Sequence, residues 1–265
     1  MKYSLLLSQI LLCMTSPLLA HDTWVETNTN LVRTGDVIHT ALKLGNHGND
    51  HRDFKLAGKV NLDDTTWTVL TPGGTEYDLK PGAIDEGYVP KEGYWSSKFV
   101  AADPGLHVIA HRYDAVVSYA PKRTIKSAKT CFVASKSLDN VSQNNPGFNR
   151  ALGHDLELIP ISNPVTPMGP GQALEVELRY KGKPLPNATI SFIPRGTVLK
   201  ESYDEQYERT TNAQGRAKFE PREGNVYLIV AHQEDPAATG EGYTSIKYSA
   251  TLTLYVPQIC PCCGE

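Results

Sequence analysis

The side chains in this sequence with the strongest metal-binding chemistry are its eight histidines and the three cysteines of the closing CPCCGE. The histidines fall into groups. His21 follows a greasy run in PLLAHDTWVE, His47 and His51 lie in GNHGNDHRD, and His107 and His111 lie in GLHVIAHRY. His39, His154 and His232 stand singly. Neutral imidazole is the commonest metal ligand in proteins. Together with amine nitrogen it suits Cu(II) or Ni(II).

His21 differs in kind from the rest. If a signal peptidase cuts after Ala20, His21 becomes the first residue and carries a free α-amine. The amine and Nδ1 then close a chelate ring, and one further histidine completes a T-shaped site of three nitrogens. The residue two places on is Thr23, which excludes the square-planar terminal-peptide motif. The bland alternative is that His21 is a coincidence of the cut. Asp22 could accept a hydrogen bond from a ligand imidazole, and Trp24 could anchor the terminal strand by burying its ring.

The remaining donors are read by spacing. His47 and His51, four apart in a Gly/Asn loop with Asp50 and Asp53 beside them, can curl toward one ion, His51 then acting from behind the ligands. They can equally belong to a polar surface loop. On a straight strand His107 and His111 share a face but lie about 13 Å apart, so only one of them belongs to a given site. His111 is the better candidate, placed at the strand end beside Arg112. His232 closes VYLIVAH at a second strand end. The expected metal ligands are therefore His21 and His47, completed by His111 or His232. Cys260, Cys262 and Cys263 form a thiol-rich tail that can bind a soft ion. They can also form disulfides with one another or with Cys131 in an oxidising compartment.

These residues need a scaffold. Lys2, the apolar LLLSQILLCM and the approach to Ala20 have the layout of a signal peptide over residues 1–20. The run is shorter than the ~20 apolar residues of a membrane span, and no later window is long or apolar enough. An exported, periplasmic or secreted chain without a membrane span is expected. Charged residues make up 21% and the net charge is −3, with no basic block to track phosphates, so nucleic acid is not an expected partner. There is no G-x-S-x-G elbow, phosphate loop or H-E-x-x-H, and the expectation is a binding protein without catalytic residues.

The patterning is that of an all-β chain. DVIHTALKLG alternates Val37, His39 and Ala41 against Ile38, Thr40 and Leu42. TTWTVLTPGGTEYDL reads as strand, turn, strand around Pro72-Gly73-Gly74, and the stretch from Tyr94 to Asp114 repeats that pattern around Asp103-Pro104-Gly105. In ALEVELRY, Leu174, Val176, Leu178 and Tyr180 face inward and Glu175, Glu177 and Arg179 outward. Gly215 takes a left-handed turn position. Two immunoglobulin- or transthyretin-like β-sandwiches in tandem are expected: residues 21–135 with the metal site, then 151–257. Residues 136–150 form a polar linker or surface loop between them, and 258–265 a dispensable tail.

Several of these stretches together resemble a known family. AHDTWVE, the histidine loop, PGLHVIAHR and SAKTCFV resemble the exported family described as the periplasmic component of cobalt/nickel ABC uptake systems (NikK/CbiK-type). LELIPISNPVTPMGPGQALEVELRYKGKPLPNATISF and TTNAQGRAKFEPREGNVYLIVAHQ resemble its transthyretin- or carboxypeptidase-regulatory-like second module. The resemblance implies that His21, His47, His111 and His232 fall on the family's histidine positions, with Asn46-His47-Gly48 replacing a Gly-His-Gly loop. It implies a Ni or Co ion as the bound cofactor and membrane transporter components as partners. Two rivals stand beside this reading. One is a copper protein, chaperone or oxidase, with an amino-terminal histidine brace. The other is a structural or adhesive surface module whose histidines are incidental.

Overall fold

The computed structural model describes residues 21–45, 61–87, 89, 92–117 and 119–258. Seventeen strands account for nearly all its regular structure. The first nine are β1 (Asp22–Thr27), β2 (Leu31–Arg33), β3 (Val37–Gly45), β4 (Thr65–Leu70), β5 (Glu76–Asp78), β6 (Ile84–Asp85), β7 (Trp95–Val100), β8 (Gly105–Val116) and β9 (Lys122–Ser135). The rest are β10 (Leu156–Pro160), β11 (Leu174–Tyr180), β12 (Lys183–Pro184), β13 (Thr189–Pro194), β14 (Glu208–Thr210), β15 (Arg216–Phe219), β16 (Asn225–Asp235) and β17 (Ser245–Val256). The all-β expectation holds.

Alternation builds the strands as the sequence implies. Ile38, Thr40 and Leu42 of β3 are buried while Val37 and His39 face solvent. Gly215 has φ of +69°, and a Cβ there would meet the Leu178 carbonyl oxygen at 2.7 Å, so only glycine fits that turn without a shift. One register detail differs. Glu177 of β11, expected to face outward, is buried. It remains ionically satisfied because Arg179 Nε donates to its carboxylate at 2.6 Å.

The strands form three sheets. A nine-stranded sheet runs β14-β13-β16-β17-β9-β8-β4-β5, with β2 also on β9. A four-stranded sheet runs β1-β3-β7-β6, and another runs β10-β11-β12 with β15 on β11. Burial along β9 shows how they stack: from Ile125 to Ala134 every residue is buried, on both faces. Ala128 and Phe132 join Val25, Ile38, Leu42, Trp67 and Ile109 in one core. Ile125 belongs to another core with Leu158, Val176, Leu178, Ile229 and Leu252. The two small sheets therefore cover opposite faces of one large sheet.

The two sandwich regions are joined by more than residues 136–150. β17 pairs with β9 in parallel, from Ser245 opposite Lys122 to Thr253 opposite Thr130. The last strand of each region is thus a neighbour of the other, and the regions share their largest sheet. Residues 136–150 carry no strand but are fastened down: Asn145 is buried and donates to Thr166 Oγ1 at 2.7 Å. Among the described residues no helix is long and apolar enough to cross a membrane.

Candidate functional site

β1 is an edge strand of its own sheet, yet Asp22 through Glu26 are all buried. It pairs with β3 from Asp22 opposite Gly45 to Thr27 opposite Thr40. Val25 points into the core between sheets. On its other side Trp24 packs on Leu228, Val230 and Ile193 of the second region. Thr251 Oγ1 donates to the Thr23 carbonyl at 2.9 Å. Burial on both sides forces the acidic residues of β1 to find partners, since an unpaired buried charge is costly.

Glu26 finds three. Trp24 Nε1 donates to its Oε1 at 2.8 Å, Lys43 Nζ lies 2.9 Å away, and Arg195 pairs with its second oxygen. Burial alone would raise its pKa, but the two cations and the indole hold the carboxyl down at about 2. Asp22 finds His232, whose Nε2 donates to its two oxygens at 2.9 and 3.1 Å. Burial opposes ionisation of Asp22, and His232 together with the nearby Lys126 charge outweighs it, so its carboxyl lies below the ordinary value. With Nε2 committed to the carboxylate, Nδ1 is the ring nitrogen left for another partner. Its side chain is 46% exposed. This is the arrangement in which a carboxylate orients a histidine for a metal.

Lys126, on β9, completes this corner. Its register partners are Tyr113 on β8 and Ser249 on β17, and Ser249 in turn faces His232 on β16. Directly paired residues project on the same face, so Lys126 and His232 lie on one side of the large sheet, under the start of β1. Lys126 is buried, and its Nζ donates to the main-chain carbonyl of His21. Burial lowers its pKa, and the Asp22 carboxylate works the other way.

The expected site residues are therefore placed as follows. His21, Asp22 and His232 share one corner, through the Asp22–His232 contact and the chain itself. His111 lies on the same face but in mid-strand, paired with Ala128 and Trp67 and fully buried. This corrects its expected position at a strand end. Arg112 and Asp114 look like loop residues in sequence but bond each other at 2.8 Å, and Asp114 binds Arg123 of β9, so β8 continues to Val116. His111 Nδ1 donates to the Thr66 carbonyl at 3.0 Å, and its buried Nε2 has no hydrogen-bond partner. Burial chiefly, opposed by the Thr66 bond, brings its pKa down to about 3. His107 is buried too, stacked on Phe132 at 4.7 Å.

His232 likewise sits within a strand, three residues before the end of β16. His47, His51 and Cys260, Cys262 and Cys263 lie outside the described residues. Gly45, the last residue before the segment carrying His47 and His51, stands opposite Asp22. Cys131 is buried, and burial pushes its thiol up to about 12. Among the described residues no three His, Cys, Asp or Glu side chains gather closely enough to hold a metal ion. What the corner offers is a carboxylate-oriented imidazole at His232 and the start of β1 at His21; His111, three strands from His232, is not brought to it.

Two residues of consequence went unseen in the sequence. Lys126 and Lys129 both lie within KSAKTCFVAS, and a lysine inside an otherwise apolar strand was the available signal. Lys129 is buried on the opposite face, paired with Glu157 at 2.8 Å. His154 also lies near that pair, and burial chiefly brings its pKa to about 4.

Comparison with known proteins adds a family. A domain of unknown function, DUF4198, matches residues 18–235. No curated protein matches. Among solved structures, the D0-D1 domain of intimin is 12% identical, with 89% of this chain and 98% of that one covered and a TM-score of 0.23. A DUF4785 family protein from Legionella pneumophila is 13% identical over 78% of this chain and 51% of that one, with a TM-score of 0.29. The ectodomain of mouse nectin-like molecule 4 is 12% identical over 90% and 65%, with a TM-score of 0.23. None of these likenesses is close enough to carry an argument about this chain.

Proposed function

The chain belongs to the DUF4198 family, and from its own geometry we propose that it is an exported, periplasmic protein that binds a transition-metal ion where β1 begins. The observation that supports this is the Asp22–His232 pair, with Nε2 held by the carboxylate at 2.9 Å. A surface histidine held this way presents one nitrogen outward in a fixed direction. In this reading His232 and His21 are ligands, His21 through its ring and, after cleavage at Ala20, its amine. Asp22 orients His232. His111 lies three strands from His232 in the large sheet and is fully buried, so it is not part of the proposed site. Gly45, two residues before His47 in sequence, stands opposite Asp22; His47 itself lies outside the described residues.

The donor set fits the proposed ion in kind. Imidazole and amine nitrogens suit Ni(II) and Cu(II). Ni or Co is the proposed cargo and a membrane transporter the proposed recipient, with binding rather than catalysis as the activity. The bound ion would supply only its own coordination preference; the chain supplies orientation through Asp22 and β1.

The test is a titration of protein beginning at His21 with Ni(II), Co(II) and Cu(II). His232→Ala should lower affinity strongly, and Asp22→Asn by about 10- to 100-fold, as for other carboxylates behind a ligand histidine. One residue added before His21 should weaken binding if the amine is a ligand. Equal affinity in all three variants rejects the site, and no binding by the parent protein leaves the structural or adhesive module.

A further inference from the structure

Lys126 is hard to explain as a core residue. An ammonium in the interior loses its hydration, and proteins avoid such burial unless the charge is paired or bonded. The described strand has other means of holding β1. Residues 22–27 are fixed by the ladder to β3, by the Thr251 bond to Thr23, and by Trp24 packed on Leu228 and Val230. That ladder begins at Asp22, one residue after His21. The Lys126 ammonium bonds at residue 21, donating to the His21 carbonyl.

That carbonyl is joined through one Cα to both groups of the proposed chelate, the amine and the imidazole. Holding it limits where those two nitrogens can point. Lys126 also stands in one row with Ser249 and His232, and Asp22 is the group that orients His232.

We propose that Lys126 is a positioning residue that fixes His21, the first residue of β1's approach, for metal chelation through its bond to the His21 carbonyl. The proposal rests on the metal-binding reading above for its purpose, but the bond's effect on residue 21 can be tested without metal. An ammonium–carbonyl bond of this kind changes populations by about tenfold or more when removed.

The experiment uses protein beginning at His21, with Lys126→Met, which keeps the stem and loses the donor. Lys126→Gln, neutral and too short to reach the carbonyl, is the second variant. Metal-free protein is exposed to an aminopeptidase, and loss of His21 is followed by intact mass. Both variants should lose His21 about tenfold faster than the parent while their thermal midpoints stay within a few degrees. Cu(II) then serves as a spectroscopic probe. The parent should give one electron paramagnetic resonance species, and the variants a mixture with about tenfold weaker binding. Unchanged trimming together with an unchanged Cu(II) spectrum overturns the assignment. Failure of both variants to fold also overturns it, making Lys126 a structural residue. If the parent binds no Cu(II), Ni(II) or Co(II), the metal-binding reading falls, and the trimming rates alone decide whether Lys126 holds residue 21.

Discussion

Replacing Glu26 with glutamine separates charge from shape at the point where the two regions meet. Glu26 is 8% exposed, and its carboxylate holds Lys43, Arg195 and the Trp24 indole. Its pKa falls from an ordinary 4.5 to about 2 in the folded chain. Each unit of pKa corresponds to about 1.4 kcal/mol, so ionised Glu26 contributes up to about 3 kcal/mol to folding at neutral pH. A folded pKa below the unfolded one means this stability is complete above pH 4.5 and disappears as pH falls toward 2. Glu26→Gln should therefore lower stability by about 2–3 kcal/mol at pH 7, or at least about 5 °C for a chain of this size. The glutamine can still accept from Trp24, so the loss isolates the two ion pairs. Urea unfolding followed by tryptophan fluorescence, at pH 7 and at steps from 4.5 to 2, gives the measurement. The gap between parent and variant should close through that interval. A loss under about 0.5 kcal/mol at pH 7, or a gap that stays constant into acid, refutes the ion pairs as a source of stability.

Three further outcomes follow from the same coordinates. Gly215→Ala should destabilise by more than about 1 kcal/mol, because the new Cβ meets the Leu178 carbonyl at 2.7 Å and φ is +69°; a thermal melt within 1 °C of the parent, on the order of 0.3 kcal/mol, would contradict this. The His111 ring should stay neutral, with the proton on Nδ1, down to about pH 3, and ring nitrogen NMR showing protonation near pH 6 would disprove that burial. Truncation after Val256, which is buried and paired with Asn225, should leave the thermal midpoint unchanged, and unfolding of the truncated chain would make the cysteine tail a staple.

The local elements were legible because their causes are local. Alternation in DVIHTALKLG, the Pro72-Gly73-Gly74 turn and the left-handed Gly215 each depend on a few neighbouring residues, and each stands in the structure. The pairing of Asp22 with His232 was legible only by type, as a carboxylate awaiting some imidazole, because its partner lies 210 residues away. The strand carrying His111 runs further than its sequence suggests for a related reason. Arg112 and Asp114 have the polarity of a loop, and what keeps them in a strand is Arg123 on β9 and Asp155 beyond it. Polarity marks a strand end only when the charges face water, and these charges face one another.

The shared sheet explains why the chemistry collects at one corner. If the two regions were separate sandwiches, His21 and His232 would belong to different bodies joined by a loop. Parallel pairing of β17 with β9 instead carries β16 alongside the first region and places His232, Ser249 and Lys126 in one row. β1 then lies across that row, one side in the core with Val25 and the other against Val230 and Leu228. Burial on both sides leaves Asp22 and Glu26 little water, and each takes a partner from the second region, Glu26 alongside Lys43 of the first. His232 and Arg195 are those partners. The ion pairs that bind β1 to the second region and the imidazole proposed for the metal thus arise from one cause, a charged terminal strand laid over a sheet that both regions build.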